Sequence, residues 1–263
     1  MTKIRTGIGG WTFEPWRNHF YPSDLKQKDE LAYASSKLSA IEINGTYYST
    51  QKPATFAKWA SETPDDFIFS LKAVRYATNR RVLAEAGESV AKFLNSGVTE
   101  LGSKLGPILW QFMPTKKFDP DDFAAFLALL PEQQDGISLR HVVEVRHPSF
   151  VTPKFVELLR KHNVACVLAD HEEYPMIADV SADFVYARLQ RGVDENPICY
   201  DETDMDAWSK RLSRFADGGH PDDLPALCPH ISAPQGRDVF AFFITGGKVN
   251  APFGAMEMMK RVS

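Results

Sequence analysis

The sequence predicts an α/β fold, a TIM-type (β/α)8 barrel that forms a single domain over residues 1–263. Short apolar runs rich in β-branched residues alternate with longer amphipathic stretches along the whole chain, and eight such pairs can be counted. This alternation is typical of strand-helix units around a parallel sheet. Trp11 and Phe13 follow the first predicted strand where a GxGxxG motif would open a dinucleotide-binding fold, which favours a closed barrel over an open sheet.

The predicted elements follow one another in regular order. Strands are predicted to begin at Ile4, Ala40, Phe67, Gly106, His141, Val164, Phe184 and Val239. Helices are predicted over residues 24–38, 54–61, 88–101, 120–130, 153–162, 176–180, 203–215 and 250–260. Asp119 and Thr152 each precede a proline, which predicts an N-cap side chain at two helix starts. Residues 217–237 are rich in Gly, Pro and His without periodicity, which predicts a long loop before the last strand.

Composition and charge narrow the class of protein. With 44% hydrophobic and 24% charged residues, the chain is typical of a globular domain and unlike a disordered one. The formal net charge of -4 gives no overall attraction to nucleic acid or acidic membranes. Cys166, Cys199 and Cys228 form no zinc-type spacing, and residues 1–10 carry glycines and charges instead of an apolar signal. We therefore expect a cytoplasmic protein with reduced thiols that does not insert into a membrane.

Polar residues interrupt the aliphatic pattern of several predicted strands. Alternate residues of a barrel strand face the helices and the interior in turn, so the aliphatic set identifies the helix-facing side. The pattern predicts six interior residues: Glu42 and Asn44 in the run 41–44, Glu144 and Arg146 in 143–146, and Arg188 and Gln190 in 185–190. Lys72, Gln111 and Asp170 each stand at the carboxyl end of a strand, and we expect their side chains to point into the barrel as well. We expect the Cys166 side chain to point into the barrel too.

These inward charges have two explanations that the sequence leaves open. A barrel interior is normally filled with aliphatic residues, and an unpaired buried charge costs several kcal/mol, so the charges must be either hydrated or mutually paired. Hydrated charges at the carboxyl ends of strands would form an active site. The structural alternative is a salt-bridge network whose formal charges cancel, formed by Glu42, Glu144 and Asp170 with Lys72, Arg146 and Arg188.

The loops after these strands are basic and aromatic. Residues 72–81 contain four basic residues and no acidic one. Further basic residues follow other strands: Arg146, His147, Arg188, Arg191 and Lys248. Aromatic residues share the same loops: Trp11, Phe13, Trp16, Tyr47, Tyr48, Tyr76 and Phe150. Basic groups beside aromatic rings suit an anionic ligand with a flat or sugar-like body. The turn at 245–248 (TGGK) stands where barrels commonly bind phosphate.

Short motifs spread over nearly the whole chain occur in a characteristic order: 9–11 (GGW), 20–22 (FYP), 42–48 (EINGTYY), 69–72 (FSLK), 105–109 (LGPIL), 144–147 (EVRH) and 186–189 (YARL). In these motifs the sequence resembles the YecE-like family, a group of barrels classed as a domain of unknown function. The resemblance implies a TIM-type barrel and implies no particular reaction. The chain departs from the family pattern at Phe150, Gln190 and residues 245–247, where the resemblance leads us to expect tryptophan, histidine and a pair of asparagines.

The leading functional hypothesis is an enzyme that acts by general acid-base catalysis on a phosphorylated or otherwise anionic small molecule, such as a sugar or nucleotide derivative. Two carboxyl groups in one desolvated site drive their pKa values apart, which suits an acid and a base. The expected catalytic residues are Glu42, Glu144 and Asp170. The expected substrate-binding residues are Trp11, Asn44, Tyr47, Lys72, Arg75, Gln111, Arg146, His147, Arg188 and Lys248. The reaction class stays open among hydrolase, lyase and isomerase.

Two further hypotheses belong to other classes. The first is a metal-assisted phosphoester hydrolase acting on nucleic acid, with ligands drawn from Glu42, Glu144, Asp170, His147 and His171. Several positively charged side chains at the same end of the barrel would oppose the binding of such a metal ion. The second is a non-catalytic protein that binds an anionic ligand or RNA. No organic cofactor is expected, a divalent metal and a nucleic-acid partner stay open, and the sequence does not predict an oligomeric state.

Overall fold

Eight parallel strands close into a barrel in the computed structural model, which describes residues 4–263. The strands are β1 (Ile4–Gly9), β2 (Ala40–Ile43), β3 (Ile68–Lys72), β4 (Leu105–Gln111), β5 (His141–Glu144), β6 (Ala165–Asp170), β7 (Phe184–Arg191) and β8 (Asp238–Gly246). Each strand pairs with its neighbours in sequence, and β1 closes the ring by pairing with β2 and β8. The predicted single-domain TIM-type (β/α)8 barrel is therefore confirmed, while residues 1–3 of the predicted domain lie outside the described residues.

Helices follow the strands around the barrel, except between β6 and β7, where residues 171–183 are irregular. The helices are α1 (Glu30–Lys37), α2 (Gly45–Tyr48), α3 (Pro53–Ser61), α4 (Arg75–Thr78), α5 (Gly87–Leu94), α6 (Pro120–Leu127), α7 (Pro153–Lys161), α8 (Glu202–Ala216) and α9 (Ala251–Arg261). Short 3-10 turns lie at Glu14–Trp16, Gln27–Asp29, Leu83–Ala86, Val98–Lys104 and Pro148–Phe150, and a two-stranded ribbon joins Gln133–Gln134 to Ile137–Ser138. In the part of the chain that the structure describes, no helix has the length and apolar character needed to cross a membrane.

The two predicted N-caps differ in the structure. Helices α6 and α7 begin at the prolines, as predicted. The Asp119 carboxylate accepts hydrogen bonds from the backbone N–H groups of Asp121 and Asp122, both at 3.1 Å. Thr152 has the extended backbone of an N-cap, but its hydroxyl makes no capping bond, so that prediction is wrong. The rigid φ of proline at the first helical position is sufficient to start α7 there.

The prediction of a helix over residues 176–180 is wrong, because this segment is irregular. It anchors the long loop at 217–237 instead. The Asp179 carboxylate accepts hydrogen bonds from the backbone N–H groups of Leu227 at 2.9 Å and Cys228 at 2.8 Å. The Ala178 carbonyl oxygen lies 3.0 Å from His220 Nε2. Five residues gain too few internal hydrogen bonds to offset helix nucleation, so these external contacts determine the conformation.

The inward face of β7 changes from apolar to polar along the strand. On the inward face of β7, the residues from the amino end to the carboxyl end are Phe184, Tyr186, Arg188 and Gln190. Phe184 and Tyr186 belong to an inner apolar cluster with Leu109, Val142, Val167, Phe240 and Phe242. A second, larger cluster fills the layer between the strands and the helices. The inner apolar cluster separates two ionic levels of the barrel. Arg140 and Asp238 pair at the amino ends of the strands, and the inward ionic residues of β2, β5 and β7 lie at the carboxyl ends.

At Gly7, β1 lies too close to β2 to leave room for a side chain. A Cβ atom at this position would lie 1.9 Å from the carbonyl oxygen of Ala40, its register partner. The substitution Gly7→Ala is therefore expected to lower the free energy of unfolding by about 2 kcal/mol or more, measured by urea denaturation. Gly45→Ala is the matched control, since a Cβ atom there would meet nothing within 4 Å. Equal stability of the two variants would contradict this strand geometry.

Candidate functional site

The guanidinium of Arg188 joins two carboxylates inside the barrel. Arg188 Nε and Nη2 donate to the two oxygens of Glu42, each at 3.1 Å. Arg188 Nη1 donates to Glu144 Oε2 at 2.5 Å. All three side chains are almost completely buried, with exposed fractions of 2% for Arg188, 0% for Glu42 and 1% for Glu144. The alternation pattern therefore correctly predicted that β2, β5 and β7 deliver these groups to one place.

Glu144 accepts hydrogen bonds on both oxygens. Arg146 Nε and Nη2 donate to Oε1 at 2.9 and 2.8 Å, and Gln111 Nε2 donates to Oε2 at 2.7 Å. Burial by itself raises the pKa of a carboxyl group. Here the charges of Arg188 and Arg146, together with the hydrogen bond from Gln111, outweigh it and lower the pKa of Glu144 to about 2. Glu144 is therefore ionised at every physiological pH.

Tyr186 supports this network from below. Its hydroxyl donates to Glu42 Oε2 at 2.7 Å and lies 2.8 Å from Ser70 Oγ. Burial and the adjacent Glu42 carboxylate raise the pKa of Tyr186, so the hydroxyl keeps its proton. Every oxygen of Glu42 and Glu144 thus has a donor. We call Glu42, Glu144, Arg188, Arg146, Gln111 and Tyr186 the buried network.

Two adjoining cavities lie at the carboxyl ends of the strands. Their volumes are about 530 and about 290 Å³, and both are lined by Gly9, Asn44 and Lys248. We call them together the mouth cavity. The remaining lining residues are Gly10, Trp11, Thr12, Trp16, Ile43, Gly45, Tyr48, Gln51, Trp59, Lys72, Phe243, Ile244 and Thr245. The predicted binding residues Trp11, Asn44, Lys72 and Lys248 therefore share one cavity.

Lys72 is a cation of the mouth cavity that has no anionic partner among residues 4–263. Its ammonium lies 4.3 Å from the centroid of the Tyr47 ring, and it forms no salt bridge or side-chain hydrogen bond with the described residues. Burial and the positive charge of Arg188 lower the pKa of Lys72, and Glu42 and Glu144 offset this only in part, so that the pKa is about 8. An appreciable fraction of this amine is neutral near physiological pH.

Lys248 is the second cation of the mouth cavity. Its ammonium lies 4.2 Å from the centroid of the Phe13 ring, and burial lowers its pKa. The Trp16 indole donates a hydrogen bond to the Lys248 carbonyl oxygen at 2.8 Å, which attaches the loop after β8 to the loop after β1. In the described chain, Lys248 forms no salt bridge, so the cavity holds two ammonium groups with aromatic neighbours and no paired carboxylate.

Six of the ten predicted binding residues lie outside the lining of the mouth cavity. Gln111, Arg146 and Arg188 belong to the buried network, and Tyr47 contacts Lys72. The other two are Arg75 and His147. The Arg75 guanidinium is exposed and lies 5.8 Å from the centroid of the Tyr48 ring. His147 caps the turn that follows β5, because its Nδ1 accepts a hydrogen bond from the backbone N–H of Ser149 at 3.1 Å. Neither side chain contacts the buried network. Their predicted contribution to binding stays a prediction.

The predicted direction of Asp170 is wrong. Its Oδ2 accepts hydrogen bonds from the Tyr200 hydroxyl at 2.7 Å and from the Trp208 indole of α8 at 3.1 Å, so the side chain faces the helix layer. Burial raises the pKa of Asp170. The inward residues of β6 are Ala165, Val167 and Ala169, which also places Cys166 on the helix-facing side, contrary to its predicted parity. Because β6 is apolar on both faces, its sequence contains no alternation that could indicate the direction.

The residues proposed as metal ligands do not converge. His171 Nδ1 accepts a hydrogen bond from the backbone N–H of Glu173 at 3.0 Å, and its ring stacks on Tyr174 with centroids 3.9 Å apart. Glu42 and Glu144 are separated by Arg188, and Asp170 faces the helices. Over residues 4–263, no three His, Cys, Asp or Glu side chains form a group that could hold a metal ion. The predicted ligand set therefore does not form one site.

Sequence reasoning missed four residues around the site. Ser70 and Tyr186 have the same inward parity as Lys72 and Arg188, so alternation alone could have identified them. Trp59 of α3 contacts Trp11 edge-on at 5.3 Å between ring centroids, and Tyr174 lies over the Arg146 guanidinium at 4.6 Å. Nothing in the sequence indicates these last two contacts, since they join residues from separate loops and helices.

Replacing Glu144 with glutamine tests the buried network. Glu144→Gln is expected to lower the free energy of unfolding by about 3 kcal/mol or more at neutral pH, because Arg188 and Arg146 lose a shared carboxylate. The pKa of Glu144 falls from its ordinary value of 4.5 to about 2 on folding. Its stabilisation is therefore complete above pH 4.5 and is lost as the pH falls towards 2. Chemical denaturation at neutral and acidic pH measures both effects.

Glu100→Gln is the control, because Glu100 is exposed and remote from the network. This variant is expected to resemble the wild type at both pH values. The network account fails if Glu144→Gln is as stable as Glu100→Gln, or if the acid-dependent loss of stability is the same in both variants.

Comparison with known proteins agrees with the motifs of the sequence. The family model described as "Protein of unknown function DUF72" matches residues 5–263. The UPF0759 protein YunF of Bacillus subtilis (strain 168) is 27% identical over 160 residues, which cover 59% of this chain and 54% of that protein. The match thus spans about half the length of this relative.

Solved structures support the fold. A DUF72 family protein (TM1631) from Thermotoga maritima MSB8 has a TM-score of 0.74 and 21% identity, with 98% of each chain covered. A DUF72 family protein (EF0366) from Enterococcus faecalis V583 has a TM-score of 0.72 and 17% identity, with 99% of this chain and 97% of that chain covered. Since the family model matches almost the entire sequence, this chain belongs to the DUF72 family, as its resemblance to YecE-like proteins predicted.

Proposed function

We propose that the mouth cavity binds an anionic small molecule, such as a phosphorylated sugar or nucleotide derivative, and that the protein is an enzyme that acts on it by acid-base catalysis. One observation carries the proposal: Lys72 and Lys248 line the same cavity without a carboxylate partner among the described residues. The cavity lies at the carboxyl ends of the strands, where barrels of this type place their chemistry.

The charges beneath the cavity cancel, so they leave the lysines uncompensated. The buried network contains two carboxylates, Glu42 and Glu144, and two guanidinium groups, Arg188 and Arg146. The ammonium groups of Lys72 and Lys248 therefore add positive charge in a partly desolvated place, which is unfavourable unless an anion is present. A bound phosphate or carboxylate group would supply that anion.

The contacts of Glu42 and Glu144 do not favour the acid-base role that the sequence suggested for them. Both carboxylates are buried and accept hydrogen bonds on every oxygen, so neither has a free oxygen to exchange a proton with a ligand in the mouth. Their contacts instead support the structural role, which is to hold Arg188 in position. We assign proton transfer to Lys72, which lines the cavity and has a pKa of about 8.

Binding of inorganic pyrophosphate, measured by calorimetry and by the shift in Tm, tests the anion site. Lys72→Met and Lys248→Met are each expected to weaken binding by about tenfold, because each removes one positive charge from the cavity. Binding to the wild type is expected to weaken as the pH rises through 8, since Lys72 loses its proton there.

Lys92→Met is the matched control, since Lys92 is exposed on α5. The proposal is wrong if pyrophosphate does not bind, or if Lys92→Met weakens binding as much as the two cavity variants.

Catalysis needs a separate measurement on a panel of sugar phosphates and nucleotides. Turnover by the wild type that Lys72→Met lacks would support an enzyme, and tight binding without conversion would favour a non-catalytic binding protein.

A further inference from the structure

We infer that Lys72 is an amine nucleophile that forms a Schiff base with an aldehyde or ketone group of the bound anion. This inference rests on the proposed anion site and deepens it, because it specifies a carbonyl compound as the substrate class. It assigns Lys72 the formation of a covalent bond in addition to proton transfer.

The position of Lys72 suits a nucleophile. It is the last residue of β3, and the Thr46 hydroxyl donates to its carbonyl oxygen at 2.7 Å, so the backbone is held in place. The side chain enters the larger part of the mouth cavity, whose volume of about 530 Å³ accommodates a small metabolite. Within residues 4–263, no carboxylate or carbonyl group holds the ammonium, so the nitrogen is available to a ligand atom.

Burial of the Lys72 side chain favours the neutral amine, which is the reactive form. Burial and the guanidinium groups of Arg188 and Arg146 oppose protonation of Lys72, whereas Glu42 and Glu144 favour it. With a pKa of about 8, about a tenth of the amine is neutral at pH 7. At the ordinary lysine value of 10.5 the neutral fraction would be about one part in 3000.

The reaction balances without an oxidant, a reductant or a further reactant. The nitrogen lone pair forms a bond to the carbonyl carbon while the π electrons move to oxygen, which gives a carbinolamine. The carbon–oxygen bond then breaks, and the oxygen leaves as water with the two protons that the amine nitrogen gives up. The resulting imine, when protonated, carries the same charge as the ammonium. It therefore keeps the favourable contact with the Tyr47 ring and the field of the two carboxylates.

Lys248 indicates what the rest of the ligand must carry. Its ammonium lines the same cavity as Lys72 and supplies a positive charge for an anionic group of the ligand. We therefore expect a carbonyl compound that also carries a phosphate or carboxylate group.

The test uses the full chain and pyridoxal phosphate, an aldehyde that carries a phosphate group. The protein is incubated with limiting probe, the imine is reduced with borohydride, and the modified lysine is identified by peptide mass spectrometry. Lys72 is expected to be modified at least about tenfold faster than any other lysine, because more of its amine is neutral. The rate is expected to rise as the pH approaches 8 and to fall when pyrophosphate is present.

Two variants complete the experiment. Lys72→Arg keeps the positive charge and is expected to abolish the fast modification, while Lys92→Arg is expected to react like the wild type. Uniform modification of surface lysines, or preferential modification of Lys248, overturns the inference. If pyrophosphate binding depends on Lys72 and Lys248 but Lys72 is not modified, only the nucleophile is rejected. If pyrophosphate does not bind either, the anion site is rejected as well.

Discussion

The Arg188 guanidinium, held between the carboxylates of Glu42 and Glu144, is the interaction on which the mouth of this barrel depends. Three strands each contribute one of these buried groups, and hydrogen bonds from Tyr186 and Gln111 complete the coordination of the carboxylates. A buried ion pair adds little stability compared with apolar packing, but the loss of one partner is costly because the other stays desolvated. The network therefore fixes the relative positions of β2, β5 and β7 at the level where a ligand would enter.

The same network explains why the mouth cavity is positively charged in a protein whose formal net charge is -4. Both inward carboxylates are paired with arginines, so in the described part of the chain neither Lys72 nor Lys248 forms a salt bridge. Aromatic rings accompany these two ammonium groups instead, and a ring stabilises a cation less than a carboxylate does. The pKa of Glu144 is lowered to about 2 and that of Lys72 to about 8, so Glu144 keeps its charge near neutral pH while the charge of Lys72 can change.

The sequence could predict the barrel and the residues of its ionic interior because aliphatic and polar residues alternate clearly in β2, β5 and β7. It could not predict the direction of Asp170, since β6 is apolar on both faces. The sequence also could not show that Arg146 is paired and Lys72 is not, because both are predicted to be inward-facing cations at the end of a strand. Only the distances between side chains show that Arg146 reaches Glu144 at 2.8 Å while Lys72 forms no salt bridge among the described residues. The division between paired and unpaired charges therefore depends on tertiary geometry.

The central claim is that the buried network leaves Lys72 without an anionic partner among the residues that the structure describes, and the titration of the Lys72 amine tests it most directly. Lysine side chains can be isotopically labelled and followed by NMR as the pH is raised, with Lys72→Arg used to assign the signal. The account predicts that the assigned signal titrates with a midpoint near pH 8. A midpoint near the ordinary value of 10.5 would contradict it, because Lys72 would then be either hydrated like a surface lysine or paired with a carboxylate.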